Sequence, residues 1–530
     1  MADNSLPLLS QSQSQSHSNQ RQETHNHDDK DNNNVVTRSL DDMIEQSIGC
    51  FGWAQFVQAI LVALASVFDS QQSFINVYTD SDHTWHCTST SNTTCNATVF
   101  NICELSKSDW AWDGASSESI ISEWGLECSS AFIRSLPASS HFTGCLLGIL
   151  FVSTLADSSL GRKNLLLLSC LIMSFTTFII ILSSNVWIYS LLRFISGVAR
   201  ASIGTCVIVL LTEKIGKRWR GLSGVIDATF FVIGTLSLPA IAYISGDHQS
   251  SWRAMYLWTS IPSIVYCALL YFFVSESPRW LLMQCRVVEA IATLKRLSPN
   301  NGNLKLNLDS CEFAVHSSTH HDQTFNKFNV FSSIGDLFNK KWIRKRTLAI
   351  MVLGFGIGTV YYGMTFGNGN AGVVFNGLSE LPSVLMIFYL IKSLNRRSSM
   401  LLLCVTSGIC CILTAVVSNE FEVIQFGLKV GSFFGSCTGL IVILIYSIEL
   451  FPTCVRNSAT SMARQALNFG AIFSSILVSA VGNKNEFVSN VVFGLIIICC
   501  GFSVVFLPET KDASLCDTMD EQERKDNVVV

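Results

Sequence analysis

Apolar runs of about 20 residues recur from residue 51 to residue 507, and a run of that length is what an α-helix needs to cross the hydrocarbon core of a bilayer. Twelve windows satisfy the criterion, near 51–75, 137–156, 164–184, 186–211, 222–244, 252–274, 346–366, 370–391, 399–418, 421–448, 457–482 and 487–507. Only 14% of the 530 residues are charged, against roughly 25% in soluble domains. The solvent for most of the chain is therefore lipid, and the fold class is an all-α polytopic membrane protein. Basic residues are scattered in short clusters and form no face that could track phosphates, so nucleic acid is excluded as a partner. The lipid bilayer is the implied partner, and no obligate protein partner is evident.

Residues 1–45 are rich in Ser, Gln, Asn, His and Asp and read as a disordered tail without the apolar core of a signal peptide. Lys and Arg then fix orientation, because short cytoplasmic loops collect them. Arg162 and Lys163 follow the second window, Lys214, Lys217, Arg218 and Arg220 the fourth, and Lys392, Arg396 and Arg397 the eighth. The 279–343 linker adds more on the same side, which predicts cytoplasmic termini. The opposite side carries one sizeable segment, 76–136, with Cys87, Cys95, Cys103 and Cys128 and the sequons Asn92-Thr93-Thr94 and Asn96-Ala97-Thr98. Asn92 and Asn96 are glycosylation candidates, and at least one disulfide is expected, its pairing open among three possibilities.

The chain repeats itself. Leu160-Gly161-Arg162-Lys163 matches Leu394-Asn395-Arg396-Arg397, and Glu213 with Arg220 seven residues on matches Glu449 with Arg456. Glu276-Ser277-Pro278-Arg279 matches Pro508-Glu509-Thr510-Lys511. Lys163 and Glu213 are 50 residues apart, and Arg397 and Glu449 are 52. Two six-helix halves, spanning 46–278 and 344–508, with charged motifs at equivalent helix ends define a secondary transporter whose substrate sits between them.

On these motifs the sequence resembles the major facilitator superfamily. The Glu449-Leu450-Phe451-Pro452-Thr453 stretch, Phe51-Gly52-Trp53, and the cysteine-bearing loop resemble the organic cation/carnitine transporters. Phe68-Asp69-Ser70-Gln71-Gln72 through Thr84-Trp85-His86-Cys87 are most similar to the plant members. The resemblance implies the two-bundle fold and alternating-access transport of a small organic cation or zwitterion, without a cofactor or metal. Three departures stand out. The motif ending at Arg162-Lys163 is one residue longer than usual, and the family's acidic position in the eleventh helix is Asn468. The stretch from Tyr361 to Glu380 is several residues short, which leaves two readings, a shortened eighth helix or an aberrant transcript.

An ionisable side chain within a span faces the bundle interior and marks a pathway by default. Asp69 and Arg193 both fall about 10 Å from the outer surface at 1.5 Å per residue, so they are expected to pair, and proton coupling through that pair is the hypothesis. A structural salt bridge is the alternative. Glu380, Tyr361 and Tyr362 suit a cation, one carboxylate with aromatic faces for cation–π contact. Arg464, one turn from Asn468, is placed either as a clamp for a substrate carboxylate or in a structural pair, with Arg200 bound to Asp227. Asp157, Arg162, Glu213, Arg220, Arg397, Glu449 and Arg456 are assigned to a cytoplasmic gate of ion pairs between the halves. His141, Gln55 and Gln58 are left as path-lining or packing residues. Two competing functions remain, a proton-coupled sugar carrier and a transporter-like sensor without net transport. A membrane enzyme is not expected, since no metal-ligand cluster or phosphate loop occurs.

Overall fold

A computed structural model describes residues 52–82, 84–88, 102–156, 160–215, 220–246, 251–284, 286–297, 335, 337–393, 395–417, 421–481, 486–511, 519–520 and 522–524. All twelve windows form long helices: α1 (Trp53–Phe74), α2 (Ala131–Ala156), α3 (Arg162–Ile180), α4 (Val186–Arg200, resuming as Ile203–Lys214), α5 (Arg220–Gly246), α6 (Trp252–Phe273), α7 (Lys341–Gly367), α8 (Gly369–Ser393), α9 (Arg396–Val416), α10 (Glu422–Leu450), α11 (Thr453–Val481) and α12 (Glu486–Gly501). Among the described residues, ten spans are long and apolar enough to cross a membrane by themselves. The start signals are local. The Asn185 side chain accepts from the amides of Trp187 and Ile188 at the head of α4, and Ser251 caps α6 in the same way.

The packing repeats as the sequence does. Helix α1 lies against α5 as α7 lies against α11, α2 against α4 as α8 against α10, and α3 against α6 as α9 against α12. The halves meet along two seams, α2 on α11 and α5 on α8. Lipid offers no hydrophobic drive for helix association, so close backbone approach does that work. A Cβ at Gly470 would stand 2.6 Å from the Phe355 carbonyl oxygen, and one at Gly358 would strike the Leu467 carbonyl. Glycine is thus required where α7 crosses α11.

Helix α1 does not stop at residue 75, because a further turn, Asn76–Thr79, prolongs it. The short Tyr361–Glu380 stretch does not shorten α8, which runs 25 residues. The saving falls on the connection, where Asn368 alone separates α7 from α8 and Gly369 adopts φ +55°, a left-handed conformation suited to glycine.

The segment between α1 and α2 packs over one end of the bundle, here the loop side. Strand β1 (Trp85–Cys87) pairs antiparallel with β2 (Trp110–Trp112), and Cys103 is joined to Cys128. Cys87 is also disulfide-bonded. Cys95, Asn92, Asn96, the N-terminal tail, most of the linker and Asp157 lie outside the described residues. The turn Ile120–Trp124 is fastened to α6 by Glu123, which accepts from Trp252 Nε1 at 2.7 Å and pairs with Arg253. Burial pushes the Glu123 carboxyl up, but the hydrogen bonds from Arg253 and Trp252 and the charge of Arg253 outweigh it and hold the pKa below the usual value.

Two outcomes are expected. Gly470→Val abolishes a monodisperse peak in fluorescence-detected size-exclusion chromatography. Glu123→Gln leaves Arg253 without its anion and costs about 1.5–3 kcal/mol, read as a lower melting temperature in detergent at pH 7. That difference shrinks as pH falls through the depressed Glu123 pKa, because the native carboxylate is then protonated as well.

Candidate functional site

Three layers of polar and aromatic groups lie where the halves face each other. The deepest is a charge cluster. Asp69 of α1 pairs with Arg200 of α4, Oδ1 to Nε at 2.7 Å, both side chains about one-tenth exposed. Asp227 of α5 accepts from Ser66 at 2.5 Å. From the other half, Arg464 of α11 reaches across to α4, its Nη1 lying 3.3 Å from where a Gly204 Cβ would be, within electrostatic range of Asp227 and Asp69. One guanidinium from the second bundle thus enters a cluster of two carboxylates and one guanidinium in the first.

This corrects two expected pairings. Asp69 does not pair with Arg193, and Arg200 does not pair with Asp227. Arg193 is fully buried and donates to the Gln72 carbonyl at 3.1 Å, where it also sits in range of Asp80. The reason is depth: α1 runs on to Thr79, so Asp69 lies about 15 Å below that end at 1.5 Å per residue, past the level of Arg193 and nearer Arg200. His141 is fully buried with Nδ1 3.3 Å from the Arg193 carbonyl, which assigns the proton to Nδ1. Gln55 donates to the Leu297 carbonyl, and Gln58 binds Lys214 and the Phe273 carbonyl at the termini side.

The middle layer is aromatic. Tyr362 of α7 packs on Phe142 of α2 with centroids 4.8 Å apart, on Phe74 of α1 at 6.0 Å and on Phe366 at 6.2 Å. Phe74 also meets Tyr361 at 6.1 Å. Tyr361 donates its hydroxyl to Glu380 Oε1, while Glu380 Oε2 is buried with no hydrogen-bond partner. Nearby on α8, Asn376 accepts from Cys437 through Oδ1 and leaves Nδ2 unpaired. A buried carboxylate oxygen without a partner costs free energy unless something arrives to satisfy it. Asn468 is half-buried on α11, one turn from Arg464.

Above the aromatic layer a cavity of about 790 Å³ opens at the loop side, bounded by both halves. Asp80 lines it. Burial pushes the Asp80 carboxyl up to about 6, with Arg193 and the hydroxyls of Thr79 and Tyr189 pulling the other way.

The assigned gate residues take a different arrangement from the one expected. Glu449 pairs with Arg396 at 3.1 Å and accepts from Thr510 at 2.7 Å. The chain turns at Pro452 after α10 ends, which sends Arg456 away to donate to the Phe451 carbonyl. Arg397 donates to the Val505 carbonyl, and its amide, with that of Arg396, binds Glu509. In the first half Glu276 likewise takes the Lys163 amide at 3.0 Å. Glu276 and Glu509, equivalent in the repeat, therefore cap the N-termini of α3 and α9, where a carboxylate opposes the helix dipole. Arg162 is half-buried at the start of α3, and Glu213 is half-buried with Oε2 unpaired. The Arg220 side chain lies outside the described residues. The ion pair described for this set, Arg396–Glu449, ties helices within one half. The sequence repeat already marked Glu276 and Glu509, but nothing in it signalled Phe74, Phe142 or Ser66.

Two mirrored six-helix bundles around buried charges and aromatics define a secondary transporter. The chain matches the family described as sugar (and other) transporter over residues 50–520. It is 47% identical over 93% of its length to organic cation/carnitine transporter 2 of Arabidopsis thaliana, covering 96% of that protein, and 46% identical over 99% to transporter 3, covering 98%. Solute carrier family 22 member 3 of Mus musculus is 28% identical over 78% of this chain and 74% of its own. The inward-open structure of the xylose transporter XylE from E. coli superposes with a TM-score of 0.62 at 16% identity, covering 88% of this chain and 98% of that one. The chain belongs to the organic cation/carnitine transporters of the major facilitator superfamily, and the xylose transporter shares its fold.

Removing one member of a buried pair costs about 3–5 kcal/mol because the other charge stays behind. Arg200→Leu should therefore melt well below the wild type, and Asp69→Asn/Arg200→Leu should recover part of that loss. Arg193→Leu combined with Asp69→Asn should show no such recovery by the same thermal assay.

Proposed function

We propose that this protein moves small organic cations or zwitterions, carnitine-like or polyamine-like, across a membrane by alternating access, its Tyr361–Glu380 site taking the cationic head. The observation that carries the reading is the Glu380 carboxylate, held through one oxygen by Tyr361 while the other is buried without a partner. A cation that sheds water there gains a counter-charge together with the aromatic faces of Tyr361 and Tyr362. A sugar brings no charge to repay the burial of that carboxylate. The names of the Arabidopsis relatives support the same substrate class.

Asp69, Arg200 and Arg464 are proposed as the coupling and positioning group. The Asp69–Arg200 pair takes the proton-coupling role first assigned to Asp69 with Arg193, and Arg464, with Asn468 one turn away, faces a zwitterion's carboxylate. The capped helix ends keep each half rigid as the two rock. In the membrane, plasma or vacuolar, the termini face the cytoplasm and the loop side faces away, with Asn92 and Asn96 glycosylated.

Glu380→Gln should raise the KM for tetraethylammonium uptake into proteoliposomes about 10-fold or more, and Tyr361→Leu about 10- to 30-fold, the equivalent of roughly 2 kcal/mol of cation–π contact. Unchanged KM in both variants contradicts the assignment. Arg464→Gln should impair carnitine more than carnitine amide; equal losses remove the carboxylate role.

A further inference from the structure

The loop-side cavity is separated from the Tyr361–Glu380 site by the aromatic layer, since Phe366 lines the cavity and stacks on Tyr362 beneath it. Its wall is unusual in what it leaves unsatisfied. Asn76 and Tyr78 are more than nine-tenths buried, both line the cavity, and Asn76 Oδ1 and the Tyr78 hydroxyl have no hydrogen-bond partner. Two further lining residues share the defect, Asp80 through Oδ2 and Ser245 through Oγ. Asp80 is fixed from behind, because its Oδ1 accepts from Tyr189 and Thr79, each at 2.8 Å, which leaves Oδ2 over.

Every one of these atoms is an oxygen that can accept, and one belongs to a carboxylate. Such groups are stabilised by a ligand that brings positive charge and N–H donors together. The remaining charge of the wall has the same sense. The carboxylates of Asp82, Glu118 and Glu422 face two bases, Arg134 and Lys429, and Arg134 is already paired with Asp82. A quaternary ammonium carries no N–H and satisfies none of the orphaned oxygens. At about 790 Å³ the cavity is within the size range that encloses small organic ligands.

We propose that the loop-side cavity is a second organic-cation site, built on Asp80, Asn76, Tyr78 and Ser245, that takes protonated primary and secondary amines in preference to quaternary ammonium ions. It rests on the reading of the chain as an organic-cation carrier but not on the placement of the deep site. An amine waiting there lies on the path to Glu380, above the aromatic layer that must part to admit it.

The test is equilibrium binding of radiolabelled putrescine and tetraethylammonium to the full-length protein in nanodiscs. Wild type should bind putrescine at two sites and tetraethylammonium at one. Asp80→Asn should weaken one putrescine class about 10-fold or more, the scale of a charged hydrogen bond, and leave tetraethylammonium within about two-fold. Ser245→Ala, which keeps the Tyr189 and Thr79 bonds to Asp80, should weaken the same class about three- to ten-fold and covers the case in which Asp80→Asn fails to fold. Glu380→Gln should weaken tetraethylammonium binding about 10-fold or more while retaining the Asp80-dependent putrescine class; if tetraethylammonium binds unchanged, the deep-site assignment fails and the second site still stands. Putrescine binding unaffected by Ser245→Ala and Asp80→Asn, or tetraethylammonium weakened as much as putrescine, overturns the proposal.

Discussion

The structure depends on the expense of holding a charge in hydrocarbon. An ionised side chain at the centre of a bilayer is unfavourable by at least a few kcal/mol unless it is enclosed and paired, and this chain places Asp69, Arg200, Asp227 and Arg464 among its spans. They are enclosed because α1, α4 and α5 turn them inward and α11 brings the fourth from the other half. The outward faces are left to apolar side chains such as Leu182, Phe272 and Val423, all well exposed on the protein and suited to lipid. Two bundles closed around a charged interior answer both demands.

The division of polar contacts suggests how such a body can move. Within each half the helix ends are stitched: Glu276 caps α3, Glu509 caps α9, and Arg396 binds Glu449. Between the halves the described contacts include some of another kind: the Ser139–Ser475 hydrogen bond, the reach of Arg464 towards Asp227 and Asp69, and the layer of Phe74, Phe142 and Tyr362. Ring packing and one long arginine tolerate sliding in a way that capped helix termini do not. Rigid halves with a soft seam are what rocking about a central site requires.

Much of this was legible in the residues. Hydropathy alone located twelve helices, since lipid leaves a chain few alternatives, and the repeat of Glu276 and Glu509 marked helix ends that prove to be paired across equivalent positions. The failures share one cause. Counting residues gives depth along a helix only if the helix end is known, and the extra turn through Thr79 moved Asp69 past Arg193 to Arg200. The short Tyr361–Glu380 stretch misled because a loop of one residue with a left-handed glycine can absorb a deletion that the helices do not feel. Aromatic partners such as Phe142 could not be chosen in advance among 35 phenylalanines.

The most direct measurement is the substrate profile of purified protein in proteoliposomes, comparing tetraethylammonium, carnitine, putrescine and glucose with and without a protonophore. Proton-coupled carriage of organic cations predicts saturable uptake of the charged solutes, none of glucose, and accumulation that collapses when the proton gradient is dissipated. Saturable glucose uptake, with the charged solutes excluded, would contradict it.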